Sequence, residues 1–145
     1  RKCVGRSAKA LLAMVGVDVP DSIRCITFEG EKEHPLIATE LMMPILGVVR
    51  AKDFDDAVEK AVWLEHGNRH SAHIHSKNVD HITQYAKAID TAILVKNGPS
   101  YAALGFGGEG YCTFTIASRT GEGLTAAHTF TKSRRCVMVE SLCIR

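Results

Sequence analysis

Between Ile45 and Val95 the chain alternates short, β-branched apolar runs with amphipathic helical patterns, and this alternation limits the fold more than any other feature. Ile45-Leu46-Gly47-Val48-Val49 has the length and branching of a buried strand. Asp53 then stands where a helix N-cap belongs. Asp55 and Asp56 complement the positive end of the helix dipole, and Phe54, Ala57, Val58, Ala61, Val62 and Leu64 form an apolar face that Gly67 closes. Ser71 to His75 alternates small or apolar with polar residues, Asn78 caps a second helix to about Ile89, and Thr91 to Val95 is again apolar. Strand, helix, strand, helix, strand with short connections predicts right-handed crossovers and a parallel sheet, hence the α/β class.

The flanks follow different rules. Ser7 caps a short helix to about Val15, with Gly16 at its left-handed end and Leu11, Leu12 and Val15 on one face. Val19-Pro20-Asp21 breaks the chain, Cys25 to Phe28 reads as a strand, and Glu29 to Glu33 as a solvated turn. Toward the end, Tyr111 to Ser118 and Arg135 to Ile144 read as strands without an intervening amphipathic helix.

A length of 145 residues suits one domain with a sizeable core. The 18 basic and 16 acidic residues are too balanced to point to nucleic acid or an anionic membrane as the main partner. Five cysteines, with no CxxC pair, favour free thiols in a reducing cytoplasm, and no apolar run has membrane-spanning length. The opening on Arg1, in the middle of RKCVGRSAKALLAMVG, leads us to expect a piece of a longer protein.

Two tempting motifs fail on context. Gly105, Gly107 and Gly110 form a GxGxxG inside the glycine-rich stretch Asn97 to Thr125, but Tyr-Cys-Thr-Phe-Thr-Ile follows, with strand rather than helix preference. No helix N-terminus is therefore expected to receive a pyrophosphate. His66, His70, His73, His75 and His81 crowd within sixteen residues. In a strand, His73 and His75 share a face, yet no thiolate or carboxylate stands at a helical i, i+4 position beside them, so we expect no metal site.

Several segments in register resemble the C-terminal third of a CoA-acylating aldehyde dehydrogenase: EHPLIATELMMPILGVVRAKDFDDAVEKA, LEHGNRHSAHIHSKN, VKNGPSYAALGFGGEGYCTFTIAS, TGEGLT and RRCVMVE. The likeness is nearest to the propionaldehyde and acetaldehyde dehydrogenases of bacterial microcompartments, and is weaker before Glu29. It implies NAD and coenzyme A as cofactors, a short-chain aldehyde as substrate, and a homo-oligomer. It also implies residues 1–110 as part of the catalytic domain and 111–145 as C-terminal strands forming an oligomerisation arm, with the catalytic cysteine and the Rossmann domain upstream.

The resemblance also implies roles for single residues. Glu40 matches the glutamate that hydrogen-bonds the nicotinamide ribose, with Met42 beside the nicotinamide and Pro44 completing the motif; read as residues alone, Glu40 is equally a helix-end carboxylate and Met42 a core thioether. His70 in GNRHSA matches a histidine acting as acid or base near the thioester, with Ser71 where threonine is usual; alone, it is also readable as a loop histidine bonded to backbone. Gly105, Gly107, Gly108 and Glu109 would line the acyl pocket, Glu109 acting as an acid/base or bonding loop amides. Cys112 stands at a place normally held by threonine or serine, Gly47 where proline is common, and Arg119 where a proline is usual. A stand-alone binding or assembly module derived from the same fold is the alternative function.

Overall fold

The computed structural model describes residues 2–108, 110, 111, 113, 114, 123–137 and 139. They fall into two compact units, Arg1–Arg69 with Asn78–Asp90, and His70–Lys77 with Thr91–Arg145.

In the first unit, α1 (Ala8–Ala13) starts where Ser7 Oγ accepts a bond from the Ala10 amide at 3.3 Å, and it buries Ala8 and Leu11. Gly16, at φ +79°, follows its end. β1 (Ile26–Glu29) pairs in parallel with β2 (Ile45–Val48), Ile26 opposite Ile45 and Glu29 opposite Val48. The ladder extends at both ends, from Ile26 N to Pro44 O at 2.8 Å and from Gly30 N to Val48 O at 3.0 Å.

Between these strands in sequence lies α2 (Pro35–Ala38), a single turn of helix. Its signal was proline in the first helical turn, where the missing N–H costs nothing; the His34 ring nitrogen Nδ1 accepts from the Leu36 amide at 3.2 Å. Ile37 of α2 lies directly over Gly47 of β2, and a Cβ at Gly47 would collide with the Ile37 side chain. Glycine at this position is thus what lets the helix seat on the strand.

α3 (Phe54–Glu65) begins with Asp53 accepting from the Asp56 amide at 2.9 Å. Asp56 in turn accepts from Lys60 Nζ at 2.8 Å and from the Lys52 amide at 2.9 Å. These two bonds, the Lys60 contact first, hold the Asp56 carboxyl below its ordinary range, and the Asp56 contact raises Lys60 above its own. The left-handed residue that caps α3 is His66 at φ +55°, not Gly67 as the sequence suggested. The His66 ring reaches the Ala38 carbonyl at 2.8 Å and lies 5.4 Å from the Trp63 ring, contacts that offset a conformation glycine would adopt freely. Gly67 follows, also at positive φ.

α4 (Val79–Ile89) is capped by Asn78, whose Oδ1 accepts from the amides of Asp80 and His81 at 2.9 and 3.2 Å. It meets α3 through stacked Phe54 and His81 rings 4.0 Å apart and through Gln84 Nε2 donating to Asp55 at 2.6 Å. Arg69 donates from Nη1 to the Ile89 carbonyl at 2.6 Å, closing the C-terminus of α4. Burial, with the Glu65 carboxylate adding to it, raises the Tyr85 phenol above its ordinary value.

In the second unit β3 (Ser71–Ile74) pairs in parallel with β4 (Ile93–Lys96), Ser71 opposite Ile93 and Ile74 opposite Lys96. Asn97 clasps the far end of this pair: at φ +55°, its Oδ1 accepts from Ser76 N at 2.7 Å and its Nδ2 donates to Ser76 O at 2.9 Å. Ile93, Val95 and Ala103 form the core, with Ala102 and Leu124 packed against it. A 3-10 turn spans Ser100–Leu104; β5 (Thr113–Phe114) pairs antiparallel with β6 (Leu124–Thr125), and a second 3-10 turn spans Ala127–Phe130.

The α/β class and the parallel pairing hold, but among the described residues the parallel ladders are two separate pairs, with β2 on β1 and β3 on β4. Of the expected strand Arg135 to Ile144, positions 135–137 and 139 form no ladder, and the remainder lies outside the described residues. Residues 115–118 of the other expected strand also lie outside them.

Candidate functional site

The segment Glu40 to Pro44 leaves α2 without regular structure and is fixed by its backbone. Gly5 N donates to Met42 O at 2.9 Å, and Ile26 N to Pro44 O. Between these anchors the Glu40 carboxylate is exposed and the Met42 side chain is 73% exposed. Met42 and Pro44 join Arg6, Lys9 and Arg24 around a cleft of about 550 Å³; Glu40 is not part of that wall. Lys9 Nζ lies 3.4 Å from Asp21 on the same wall.

The second unit holds the other candidates. His70 is exposed immediately before β3, and its carbonyl accepts from Ile93 N at 3.1 Å, so the backbone beneath the ring is held by the β4 neighbour. Its Nδ1 lies 3.0 Å from Ser71 Oγ. Two residues along the same strand face, His73 Nε2 lies 2.9 Å from Ser100 Oγ, at the first residue of the 3-10 turn. The histidines thus disperse onto separate partners: Ala38 for His66, Ser71 for His70, Ser100 for His73, and the Phe54 ring for His81. Among the described residues no three metal-ligating side chains gather.

The glycine-rich loop begins where Gly105, at φ +87°, ends the 3-10 turn and donates to Ala102 O at 3.1 Å. Gly107 is again left-handed at φ +75°. A Cβ on Gly108 would fall 2.8 Å from the Ala102 carbonyl, and one on Gly110 would run into the Ala103 carbonyl. The loop therefore folds back on its own 3-10 turn, and these two glycines are needed for that internal approach. Past Gly110 the chain enters β5, not a helix. Phe106, 82% exposed, projects from the loop. Glu109, Cys112 and Arg119 lie outside the described residues.

Glu40, Met42 and Pro44 belong to one unit, His70 and the glycines to the other. Sequence reasoning missed Ser71 as a partner of His70, the Asn97 clasp and the contact between His73 and Ser100. Only the first had a local signal, a hydroxyl adjacent to the histidine.

The pattern of the aldehyde dehydrogenase family matches residues 23–134. The acetylating acetaldehyde dehydrogenase EutE of Salmonella typhimurium is 50% identical over 97% of this chain and 30% of its own length. A propionaldehyde dehydrogenase from the fucose utilisation microcompartment of Clostridium phytofermentans is 83% identical, with a TM-score of 0.89 over 99% of this chain and 33% of its own. The propionaldehyde dehydrogenase of Rhodopseudomonas palustris, solved with bound CoA and an acylated cysteine, is 57% identical, with a TM-score of 0.89 over 96% of this chain and 32% of its own. The chain thus spans about a third of the length of these relatives. No helix among the described residues is long and apolar enough to cross a membrane. With a family pattern running from Ile23 to Arg134 and relatives aligned over nearly the whole chain, this chain belongs to the aldehyde dehydrogenase family.

Proposed function

We propose that the chain is part of a CoA-acylating, NAD-dependent aldehyde dehydrogenase that converts a short-chain aldehyde and coenzyme A to acyl-CoA, in the cytoplasm within a bacterial microcompartment. The likeness to the propionaldehyde dehydrogenase across 99% of the chain carries this reading.

Glu40 fits the ribose of a nicotinamide nucleotide. An exposed carboxylate on a segment tied at Met42 and Pro44 offers two acceptor oxygens to two neighbouring hydroxyls without having to be ordered first. The Met42 thioether gives a deformable apolar contact beside the ring. NAD, when bound, supplies the hydride acceptor.

The nucleophilic cysteine comes from the part of the enzyme outside this chain and carries the acyl group as a thioester. His70 then takes the proton of the coenzyme A thiol, because the thiolate, not the thiol, attacks the thioester carbon. The acyl group passes to the coenzyme A sulfur and the cysteine leaves as thiolate. The loop at Gly105, Gly107, Gly108 and Glu109 borders the acyl group. Residues 1–110 contribute to the catalytic domain, and 111–145 form the arm through which subunits associate.

The test is a full-length enzyme carrying this segment, assayed with propionaldehyde and NAD in the presence and absence of coenzyme A. NADH formation matched by propionyl-CoA is expected. Release of free propionate at the same rate without coenzyme A overturns the acylating assignment.

A further inference from the structure

The base proposed above must have its Nε2 lone pair free, and in a neutral imidazole this requires the proton to sit on Nδ1. Ring nitrogens choose between these forms according to the bond the other nitrogen makes. In this chain Nδ1 of His70 lies 3.0 Å from Ser71 Oγ. Ser71 is itself fixed, because it opens β3 opposite Ile93 and the His70 carbonyl is bonded to the Ile93 amide. A hydroxyl on a paired strand residue is thus presented to one nitrogen of a histidine just off the strand end.

We propose that Ser71 is a positioning residue for acyl transfer: its Oγ holds Nδ1 of His70 and accepts the Nδ1–H of the imidazolium that forms when Nε2 takes the proton of the coenzyme A thiol. The same contact serves both states of the ring. Before transfer Nδ1–H donates to Oγ; after it the imidazolium still donates from Nδ1, so the bond persists while Nε2 gains a proton. The ring also keeps one orientation, since rotation about its side-chain bonds would break the contact with a strand-held partner.

This inference rests on the role proposed for His70, and the experiment separates the two. In the full-length enzyme, Ser71→Ala, Ser71→Thr and His70→Ala are compared by rapid-mixing measurement of NADH formation and of acyl transfer from pre-acylated enzyme to coenzyme A. Ser71→Ala is expected to slow acyl transfer about tenfold, the size of one lost hydrogen bond, with hydride transfer and the KM for coenzyme A unchanged. Ser71→Thr, which keeps the hydroxyl, is expected to restore the rate. If Ser71→Ala transfers acyl groups normally while His70→Ala does not, the positioning role is overturned and the base remains. If His70→Ala itself transfers normally, both are overturned.

Discussion

Glu40 and His70 make opposite demands on the reaction, which allows their roles to be separated. Glu40→Gln in the full-length enzyme keeps the shape and removes the charge. It should weaken nicotinamide binding and hydride transfer by about 1 to 3 kcal/mol, the range for hydrogen bonds to charged groups, and leave acyl transfer intact. Nucleotide titration with single-turnover NADH formation checks this; unchanged values sink the ribose role. His70→Ala should spare hydride transfer and slow acyl transfer by roughly a hundredfold or more, the usual scale of a general base. Glu40 and His70 were legible as residue types in a recognisable wording, GNRHSA and ELMMP. What the wording did not carry was their surroundings. The Ser71 contact needs a side-chain geometry, and the glycines at 108 and 110 turned out to be required by their own 3-10 turn, a demand internal to the loop.

At the scale of elements, caps were the most readable features. Ser7, Asp53 and Asn78 each accept amides at a helix start as their short polar side chains dictate. Strand partners were not readable, because parallel pairing is set by contacts distant in sequence: Ile26 meets Ile45, and Asn97 grips Ser76 from 21 residues away. Asn97→Ala should remove both grips and cost ~1 to 2 kcal/mol locally. The Ser76 amide, which donates to the Asn97 side chain, should then exchange its hydrogen faster, and unaltered exchange would show the clasp to be idle.

The start of α3 has a pH dependence of defined sign. Asp56 is more acidic in the folded chain, through the bonds from Lys60 and Lys52, than its ordinary value of 3.8. Its stabilising contribution is therefore present above that value and fades as pH falls through the lower, folded one. Asp56→Asn should destabilise α3 at neutral pH and flatten the acid side of its unfolding curve, measured by circular dichroism between pH 7 and about pH 2. An acid limb identical to the parent's would remove Asp56 from the explanation.

At the scale of the whole molecule, the two-stranded sheets among the described residues leave open edges and exposed apolar side chains. Leu46 is 57% exposed, Val137 85% and Val139 81%. The chain expressed alone should self-associate in sedimentation and reduce no NAD with aldehyde, and should gain order when co-expressed with the remainder of the enzyme. A monodisperse monomer that unfolds cooperatively would favour the stand-alone module instead. The two units add a constraint of another kind. Residues 70–77 of the second are spliced into the sequence of the first, so the backbone passes from one to the other after Arg69, after Lys77 and after Asp90. Neither unit is a contiguous stretch of gene. A protein shortened to begin at Thr91 would carry β4 without β3, the strand its ladder needs, and one ending at Arg69 would lose α4 and with it the Phe54 and Asp55 contacts. Recombination that keeps both sets of contacts from one parent must therefore exchange this region as one cassette, with crossover points placed outside residues 54–96.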